Sequence, residues 1–360
     1  MAPSCSVILA VTVAVLAALL ALNESKAPAS LYPKSWLITT ILPVLASVSP
    51  MPARHVINHS DFDAVAAARR VFDLKSMVPI VLFRFNQAYQ SLPAKDTMID
   101  GVPVTLYNVD GFEHPTQQTI VFIHGGGFAF GSRATHAYIC RRLASELGNG
   151  TTVVNVEYRL SPEHKHPAGL EDVAAVVRFV TSQAAAATGF RLAPANVVVA
   201  GDSAGGNLAT AALLHLMQRS EVDAYRNVRG QLLVYPAVHL SCPHCHESST
   251  RFGQGYFLTA ADKAWFAGAY VHNESHGQDP TVSPMRASAE LLAQLPSTLV
   301  VLAEADILHD EGQAYADRLG QQGVAVVVKT YPGTIHGFFT HPMSQHDEAV
   351  DDAVAWLREL

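Results

Sequence analysis

The sequence lacks the runs of lysine and arginine with which nucleic-acid-binding proteins contact phosphates. Its 24 Lys and Arg residues are outnumbered by 31 Asp and Glu residues, and the formal net charge is -7. A mildly acidic chain favours neither DNA nor an anionic membrane surface as a partner. The composition therefore excludes nucleic acid, while 360 residues that are 49% hydrophobic supply enough core for one large α/β domain or two smaller ones.

Cysteine is scarce as well, with four residues in the chain. Two of them, Cys242 and Cys245, lie in the segment C-P-H-C-H at 242–246. This segment matches the c-type haem attachment pattern and offers soft metal ligands. A structural zinc site needs a second ligand pair at a suitable spacing, which the chain lacks, and a haem needs an axial ligand and a pocket. A local disulfide or free thiols in a loop are therefore favoured.

Charge is absent from residues 6–22, which are nearly all apolar. Such a run is typical of a signal-peptide core or of a membrane anchor, and both interpretations stay open. Either one predicts a protein of the secretory pathway, secreted or held by a single span, with the bulk of the chain lumenal or extracellular. Four Asn-x-Ser/Thr sequons are compatible with a glycoprotein. They begin at Asn23, Asn58, Asn149 and Asn273.

Short apolar runs alternate with helical segments from residue 102 onward. Continuous apolar strands separated by helices indicate an α/β fold, with a mostly parallel central sheet covered by helices on both faces. A polar turn between the first two strands predicts a hairpin-like pair. The expected strands are 102–107, 119–123, 153–156, 197–200, 231–234, 298–302 and 324–328. The expected helices lie near 61–70, 80–89, 136–147, 170–187, 204–217, 259–271, 310–320 and 344–360.

One serine lies where a nucleophile is expected. The apolar strand at 197–200 turns at Gly201 and continues as a helix rich in Ala and Leu, and G-x-S-x-G occupies residues 201–205. A serine on such a turn exposes its hydroxyl, beside the free N–H groups of a helix N-terminus. The pattern alone also fits a glycine-rich turn with an incidental serine. Its strand–turn–helix context favours Ser203 as a nucleophile.

Further reactive groups follow other strand ends, where parallel sheets bind their ligands. His336 can remove the Ser203 proton at neutral pH, and a carboxylate such as Asp306 can orient the imidazole. The chain order Ser, Asp, His is that of the α/β-hydrolases. Other candidates for the acid are Glu304, Asp310 and Glu311.

Backbone donors for a developing oxyanion are expected from the H-G-G-G loop at 124–127 and from Ala204, the residue after the nucleophile. The loop lacks the G-x-G-x-x-G spacing of a dinucleotide-binding turn. The candidate oxyanion donors are Gly125, Gly126, Gly127 and Ala204.

Five motifs together resemble the hormone-sensitive-lipase-like family of α/β-hydrolases, which includes arylacetamide deacetylases and small carboxylesterases. They are H-G-G-G-F at 124–128, E-Y-R-L-S-P-E-H at 157–164, G-D-S-A-G-G-N at 201–207, E-A-D-I-L-H-D-E at 304–311 and Y-P-G-T-I-H-G-F-F at 331–339. The resemblance implies Ser203 as nucleophile, His336 as base, and Asp306, the first Asp of D-x-L-x-D-E, as the acid. The segment at 242–246 departs from the family pattern.

The resemblance also implies an α/β-hydrolase fold with a helical cap. Residues 1–30 are then the signal peptide or anchor, 31–110 an N-terminal helical cap region with the first strand, and 111–360 the catalytic domain. Within that domain, residues 235–275 are a cap insertion.

The function expected is that of a serine carboxylesterase, which hydrolyses short- to medium-chain acyl or aryl esters through an acyl-serine intermediate. A small-molecule ester is the expected partner, and neither a metal nor a cofactor is implied. One alternative is a small-molecule amide deacetylase, because esters and amides pass through the same oxyanion. The other is a non-catalytic ligand receptor on the same fold; such receptors resemble the family but have lost the histidine, and here His336 is present. The sequence leaves the oligomeric state open.

Overall fold

The computed structural model describes residues 92–360 except 109, 111, 191, 243, 255 and 342, together with 58, 60–66, 68–69 and 89. The apolar run at 6–22 and nearly all of the helix expected at 80–89 lie outside the described residues. Within the described part of the chain, no helix combines the length and the apolar character needed to cross a membrane.

Eight strands form a single sheet in the order β1-β2-β4-β3-β5-β6-β7-β8. Strand β2 is antiparallel to both β1 and β4, and every other neighbouring pair is parallel. The strands are β1 (Ala94–Ile99), β2 (Val102–Asn108), β3 (Gln118–Ile123), β4 (Thr151–Val156), β5 (Val197–Asp202), β6 (Val228–Val234), β7 (Ser297–Ala305) and β8 (Val326–Ile335). The α/β fold with a mostly parallel sheet is therefore confirmed.

The expected hairpin between the strands at 102–107 and 119–123 is wrong. Strand β2 pairs instead with β1, through a turn in which Asp100 and Gly101 both have positive φ angles of 49° and 82°. Asp-Gly is a strong signal for such a two-residue turn. Strand β1 escaped detection because it is a polar edge strand in which only Ile99 is buried.

Helices cover both faces of the sheet. In β5, Val197 and Val199 point into one apolar cluster and Val198 and Ala200 into the other, as the two-residue period of a strand requires. From residue 92 onward, the α-helices are α1 (Ala137–Leu147), α2 (Ala168–Val180), α3 (Gln183–Ala187), α4 (Ala204–Gln218), α5 (Val222–Arg226), α6 (Glu247–Arg251), α7 (Ala260–Tyr270), α8 (Ala289–Leu292), α9 (His309–Gln321) and α10 (His346–Glu359). Helices α2, α4 and α9 contribute to the first cluster, and α1 and α10 to the second. The single helix expected at 170–187 is split into α2 and α3.

A third apolar cluster lies away from the sheet. It brings Val65 of the N-terminal segment against Trp265 and Phe266 of α7 and against Leu308, which follows strand β7. Helix α7 begins with a capping box, in which the side chains of Thr259 and Asp262 each accept the other residue's backbone N–H. This cluster positions α7 beside the strand ends that carry the candidate site.

Candidate active site

Ser203 occupies a strained turn between strand β5 and helix α4. Its φ angle is 56° and its ψ angle is −118°, a conformation that non-glycine residues rarely adopt. The turn is tight on both sides. A Cβ atom on Gly201 would lie 2.4 Å from the Gly205 carbonyl oxygen, and one on Gly205 would lie 2.0 Å from the Ile123 carbonyl oxygen. Only glycine fits at these two positions. The two glycines of the G-x-S-x-G pattern are therefore required by the tight turn that holds Ser203.

The turn is anchored by its backbone. The Ser203 N–H donates to the Val234 carbonyl oxygen at 2.8 Å, and the Ser203 carbonyl oxygen accepts from the Ala237 N–H at 3.2 Å. These bonds tie the serine to the end of strand β6. The hydroxyl is thus held in place by two neighbouring strands rather than by the loop alone.

His336 follows strand β8 and joins the serine to a carboxylate. Its Nε2 lies 3.0 Å from Ser203 Oγ, and its Nδ1 lies 2.7 Å from Asp306 Oδ2. With the proton on Nδ1, the ring donates to Asp306 and accepts the serine hydroxyl proton at Nε2. All three residues are at most 8% exposed. Strand β8 continues to Ile335, beyond the strand expected at 324–328, so the histidine directly follows its end.

The other acids proposed from the sequence have different partners. Glu304 accepts the Gly333 N–H, Asp310 accepts the Ser248 N–H, and Glu311 forms an ion pair with Lys263. Asp306 alone among the four candidates contacts the His336 ring. Its second carboxylate oxygen, Oδ1, accepts the Leu308 N–H at 3.0 Å, which fixes the carboxylate plane.

The expectation that Gly125 donates to an oxyanion is wrong. Its N–H already donates to Asp202 Oδ1 at 2.8 Å, so this hydrogen is not available to a substrate. Gly126, Gly127 and Ala204 line the same pocket as Ser203. Ala204 is the first residue of α4, so its N–H has no intrahelical acceptor and carries the partial positive charge of the helix N-terminus.

Asp202 and His136 form a buried network that sequence reasoning did not find. The Asp202 Oδ1 atom lies 3.1 Å from His136 Nε2, and His136 Nδ1 lies 2.8 Å from the Thr135 hydroxyl. Burial by itself would raise the pKa of Asp202, but the neighbouring His136 and the Gly125 N–H outweigh burial and lower it. The carboxylate therefore stays charged and holds the glycine loop against strand β5. Its only sequence signal was its place inside the G-D-S-A-G motif.

The preceding histidine also shapes the loop. His124 is fully buried, and burial, followed by repulsion from His136, lowers the pKa of His124 to about 4. A neutral His124 donates from Nδ1 to the Gly125 carbonyl oxygen at 2.8 Å. Both backbone groups of Gly125 are thus fixed by side chains, which leaves the next two glycines facing the pocket.

The pocket beside Ser203 has ≈ 840 Å³ of empty space, its open mouth included. Its apolar wall includes Leu240, Phe257, Leu258, Phe266 and Leu308. Lys263 also lines the pocket, and its charge is paired with the fully buried Glu311.

The disulfide that joins Cys242 to Cys245 closes the loop after strand β6, with the two Cα atoms 5.5 Å apart. Of the alternatives for this segment, the local disulfide is therefore the one found. Over the part of the chain that is described, no group of three or more His, Cys, Asp or Glu side chains is arranged to hold a metal ion.

Comparison with known proteins places this geometry in a family. A family model described as alpha/beta hydrolase fold matches residues 120–340. Ethyl acetate hydrolase from Pseudomonas putida is 35% identical over 240 residues, which is 67% of this chain and 71% of that protein. Arylacetamide deacetylase from Bos taurus is 27% identical over 327 residues, covering 75% of this chain and 80% of that protein. Six further curated matches cover 56% to 67% of the relatives' own lengths.

Solved structures agree. An esterase from the archaeon Pyrobaculum calidifontis superposes with a TM-score of 0.72 at 33% sequence identity, over 82% of this chain and 93% of that one. Sequence, fold and motif order point to one assignment: the chain belongs to the α/β-hydrolase fold family, in its hormone-sensitive-lipase-like branch.

Proposed function

We propose that this protein is a serine carboxylesterase that works through an acyl-serine intermediate. The chain is a carboxylic ester hydrolase, as its relatives named ethyl acetate hydrolase and esterase support. The observation that carries the mechanism is the bridge made by His336, 3.0 Å from Ser203 Oγ and 2.7 Å from Asp306 Oδ2.

In the first half of the reaction, His336 Nε2 takes the hydroxyl proton as Ser203 Oγ attacks the ester carbonyl carbon. The imidazolium that forms is stabilised by the Asp306 carboxylate. Negative charge develops on the carbonyl oxygen, where the N–H groups of Gly126, Gly127 and Ala204 stabilise it. His336 then gives its proton to the departing alkoxide, and the acyl group stays on Ser203.

In the second half, His336 accepts a proton from water, and the resulting hydroxide attacks the acyl-serine carbonyl carbon. The same backbone donors stabilise the second oxyanion. Collapse of this intermediate returns the proton to Ser203 and releases the carboxylic acid. Every proton therefore moves through the single Nε2 atom of His336.

The substrate class follows from the pocket wall. The side chains of Leu240, Leu258, Phe266 and Leu308 offer apolar surface, and the one lysine of the wall is neutralised by Glu311. Short- to medium-chain acyl esters and aryl esters match this lining better than charged substrates do.

A second candidate is hydrolysis of small aryl amides, which the similarity to an arylacetamide deacetylase favours. The triad serves both reactions, so matched ester and anilide substrates with the same acyl group decide between them. The receptor alternative is disfavoured because His336 is present and hydrogen-bonded to Ser203. A serine-reactive phosphonate probe labels an enzyme at Ser203 and leaves a receptor unlabelled.

For localisation we propose the secretory pathway, with the protein secreted or anchored by its apolar N-terminal run. The sequon asparagines Asn58, Asn149 and Asn273 are all exposed, as N-glycosylation requires. N-terminal sequencing of the mature protein distinguishes cleavage from anchorage. A mass shift on treatment with an N-glycosidase tests glycosylation, and an unchanged mass contradicts it.

The activity is tested with p-nitrophenyl esters of increasing acyl length. We expect the highest kcat/KM with short to medium chains, and Ser203→Ala to lose at least about 10³-fold in kcat. Ser182→Ala, at a half-buried serine whose hydroxyl donates to the Phe179 carbonyl oxygen of α2, is the matched control. Full activity of Ser203→Ala refutes the mechanism.

A further inference from the structure

The catalytic mechanism leaves the disulfide between Cys242 and Cys245 without a role. We propose that this disulfide is a reversible thiol-exchange site, opened by low-molecular-weight thiols, and that its state sets the affinity of the adjacent pocket for ester substrates. This role goes beyond the proposed function, and of its two readouts only KM rests on that function.

The disulfide is accessible to a small thiol. Cys245 and its neighbour His244 are exposed, whereas Cys242 is half-buried and therefore less accessible. Attack is therefore directed to Cys245 Sγ, because access decides which sulfur of a disulfide reacts. An exposed sulfur that a small thiol can reach is typical of disulfides that exchange.

The bond does little to hold the fold as a whole. Cys242 and Cys245 are three positions apart, so the bond closes one short loop and joins no distant segments. Closing so short a loop removes little conformational entropy from the unfolded chain. Its reduction is therefore a local event, and its effect depends on what the loop contacts.

The chain just before the disulfide forms part of the pocket wall. Leu240 lines the pocket, and the His239 N–H donates to the buried Glu311 Oε1 at 3.1 Å. Glu311 in turn forms the ion pair with Lys263, which lines the pocket too. The Ser241 N–H donates to Ser283 Oγ at 3.0 Å. This side of the loop is thus connected to the substrate site.

The chain just after the disulfide is fastened beside the catalytic acid. Ser248 Oγ donates to the Ile307 carbonyl oxygen at 3.0 Å, and the Ser248 N–H donates to Asp310 Oδ2 at 2.8 Å. Across the loop, His239 Nδ1 and His246 Nε2 are hydrogen-bonded at 3.0 Å. The disulfide keeps the two sides of the loop together and so supports this contact.

Reduction frees the two cysteines to separate and weakens the contact between His239 and His246. Leu240 is then less firmly held in the pocket wall. Asp306 keeps its own bonds to His336 and to the Leu308 N–H, which do not involve the loop. We therefore expect reduction to raise KM while kcat is largely retained, since a wall contact acts on bound substrate and transition state alike.

Reduction of the disulfide proceeds through two successive thiol–disulfide exchanges. A small thiolate attacks Cys245 Sγ, the Cys242–Cys245 bond breaks, and Cys242 leaves as a thiolate, which gives a mixed disulfide at Cys245. A second small thiolate attacks the outer sulfur of that mixed disulfide and releases Cys245 as a thiolate. The protein disulfide gains two electrons, and the two small thiols become one disulfide.

The test equilibrates the full chain in reduced and oxidised glutathione at a series of ratios. Rapid alkylation and peptide mass analysis then give the reduced fraction of Cys242 and Cys245, and KM is measured on a p-nitrophenyl ester in parallel. We expect KM to rise about fivefold with the reduced fraction, the scale of one lost binding contact, and to recover on reoxidation. The affinity for 1-anilinonaphthalene-8-sulfonate, a fluorescent aromatic sulfonate whose binding needs no turnover, weakens in step.

The double variant Cys242→Ser with Cys245→Ser is expected to show the KM of the reduced protein at every ratio. Cys140→Ala, at the buried free cysteine of α1, keeps the wild-type response. A disulfide that resists millimolar thiol in the native protein overturns the inference, as do an unchanged KM and dye affinity after full reduction. Absence of ester turnover with a redox-dependent dye affinity refutes only the proposed function.

Discussion

Removal of the Asp202 carboxylate tests how the H-G-G-G loop at 124–127 is held in position. Asp202 is 5% exposed, and its Oδ1 accepts the Gly125 N–H at 2.8 Å and contacts His136 Nε2 at 3.1 Å. Asp202→Ala leaves the Gly125 N–H buried without an acceptor, at a cost of about 1–3 kcal/mol. The loop can recover this energy only by moving, which displaces the donors at Gly126 and Gly127.

We expect kcat of Asp202→Ala to fall by about 10²-fold, the scale of losing one oxyanion donor, with KM changed little. The matched variant Asp202→Asn keeps a carbonyl oxygen for the Gly125 N–H and loses only the charge that faces His136. It should therefore lose about tenfold or less, since charge-assisted bonds are roughly twice as strong as neutral ones. Steady-state kinetics on a p-nitrophenyl ester measure both. The reasoning is refuted if Asp202→Ala keeps kcat within threefold, or if the two variants fall equally.

Three further outcomes follow from packing and burial. Phe266→Ala removes an aromatic ring from the pocket wall, so the acyl length giving the highest kcat/KM should increase, and an unchanged profile contradicts the assigned wall. Gly205→Ala places a Cβ atom 2.0 Å from the last carbonyl oxygen of strand β3, so urea unfolding should show a loss of several kcal/mol in stability. The control Gly320→Ala meets no atom within 4 Å and should be neutral or stabilising by about 0.5–1 kcal/mol. Burial lowers the pKa of His124 and of His346 from 6.5 to about 4, so between these pH values the unfolded chain binds more protons than the folded chain. The stability present above pH 6.5 should therefore be lost as the pH falls towards 4. His346→Gln should make the urea midpoint depend less on pH.

The sequence predicted the triad members because each chemical group follows a strand and parallel strands end at one edge. The family motif was needed to choose Asp306 over Glu304, because both acids follow the same predicted strand and lie between the serine and the histidine in the chain. The structure separates them by their partners: Glu304 accepts the Gly333 N–H, while Asp306 faces His336. Contacts of this kind depend on how distant segments meet, which a local pattern does not contain.

The same limit explains the error at Gly125. A glycine loop indicates available N–H groups but does not reveal that one of them is already bound by Asp202, 77 positions away. Strand β1 was missed for a different reason. An edge strand with one solvated face needs few apolar residues, so it lacks the signal that marked the buried strands.

In the proposed mechanism, acyl transfer passes through Ser203 under the control of His336. The most direct measurement is rapid mixing of the protein with p-nitrophenyl acetate, followed by an acid quench and peptide mass analysis. We expect a burst of p-nitrophenolate and an acetyl group on the Ser203 peptide, with the adduct formed far more slowly in His336→Ala. An acetyl group on another residue would contradict this mechanism, as would a burst of p-nitrophenolate with no acetyl group on the Ser203 peptide.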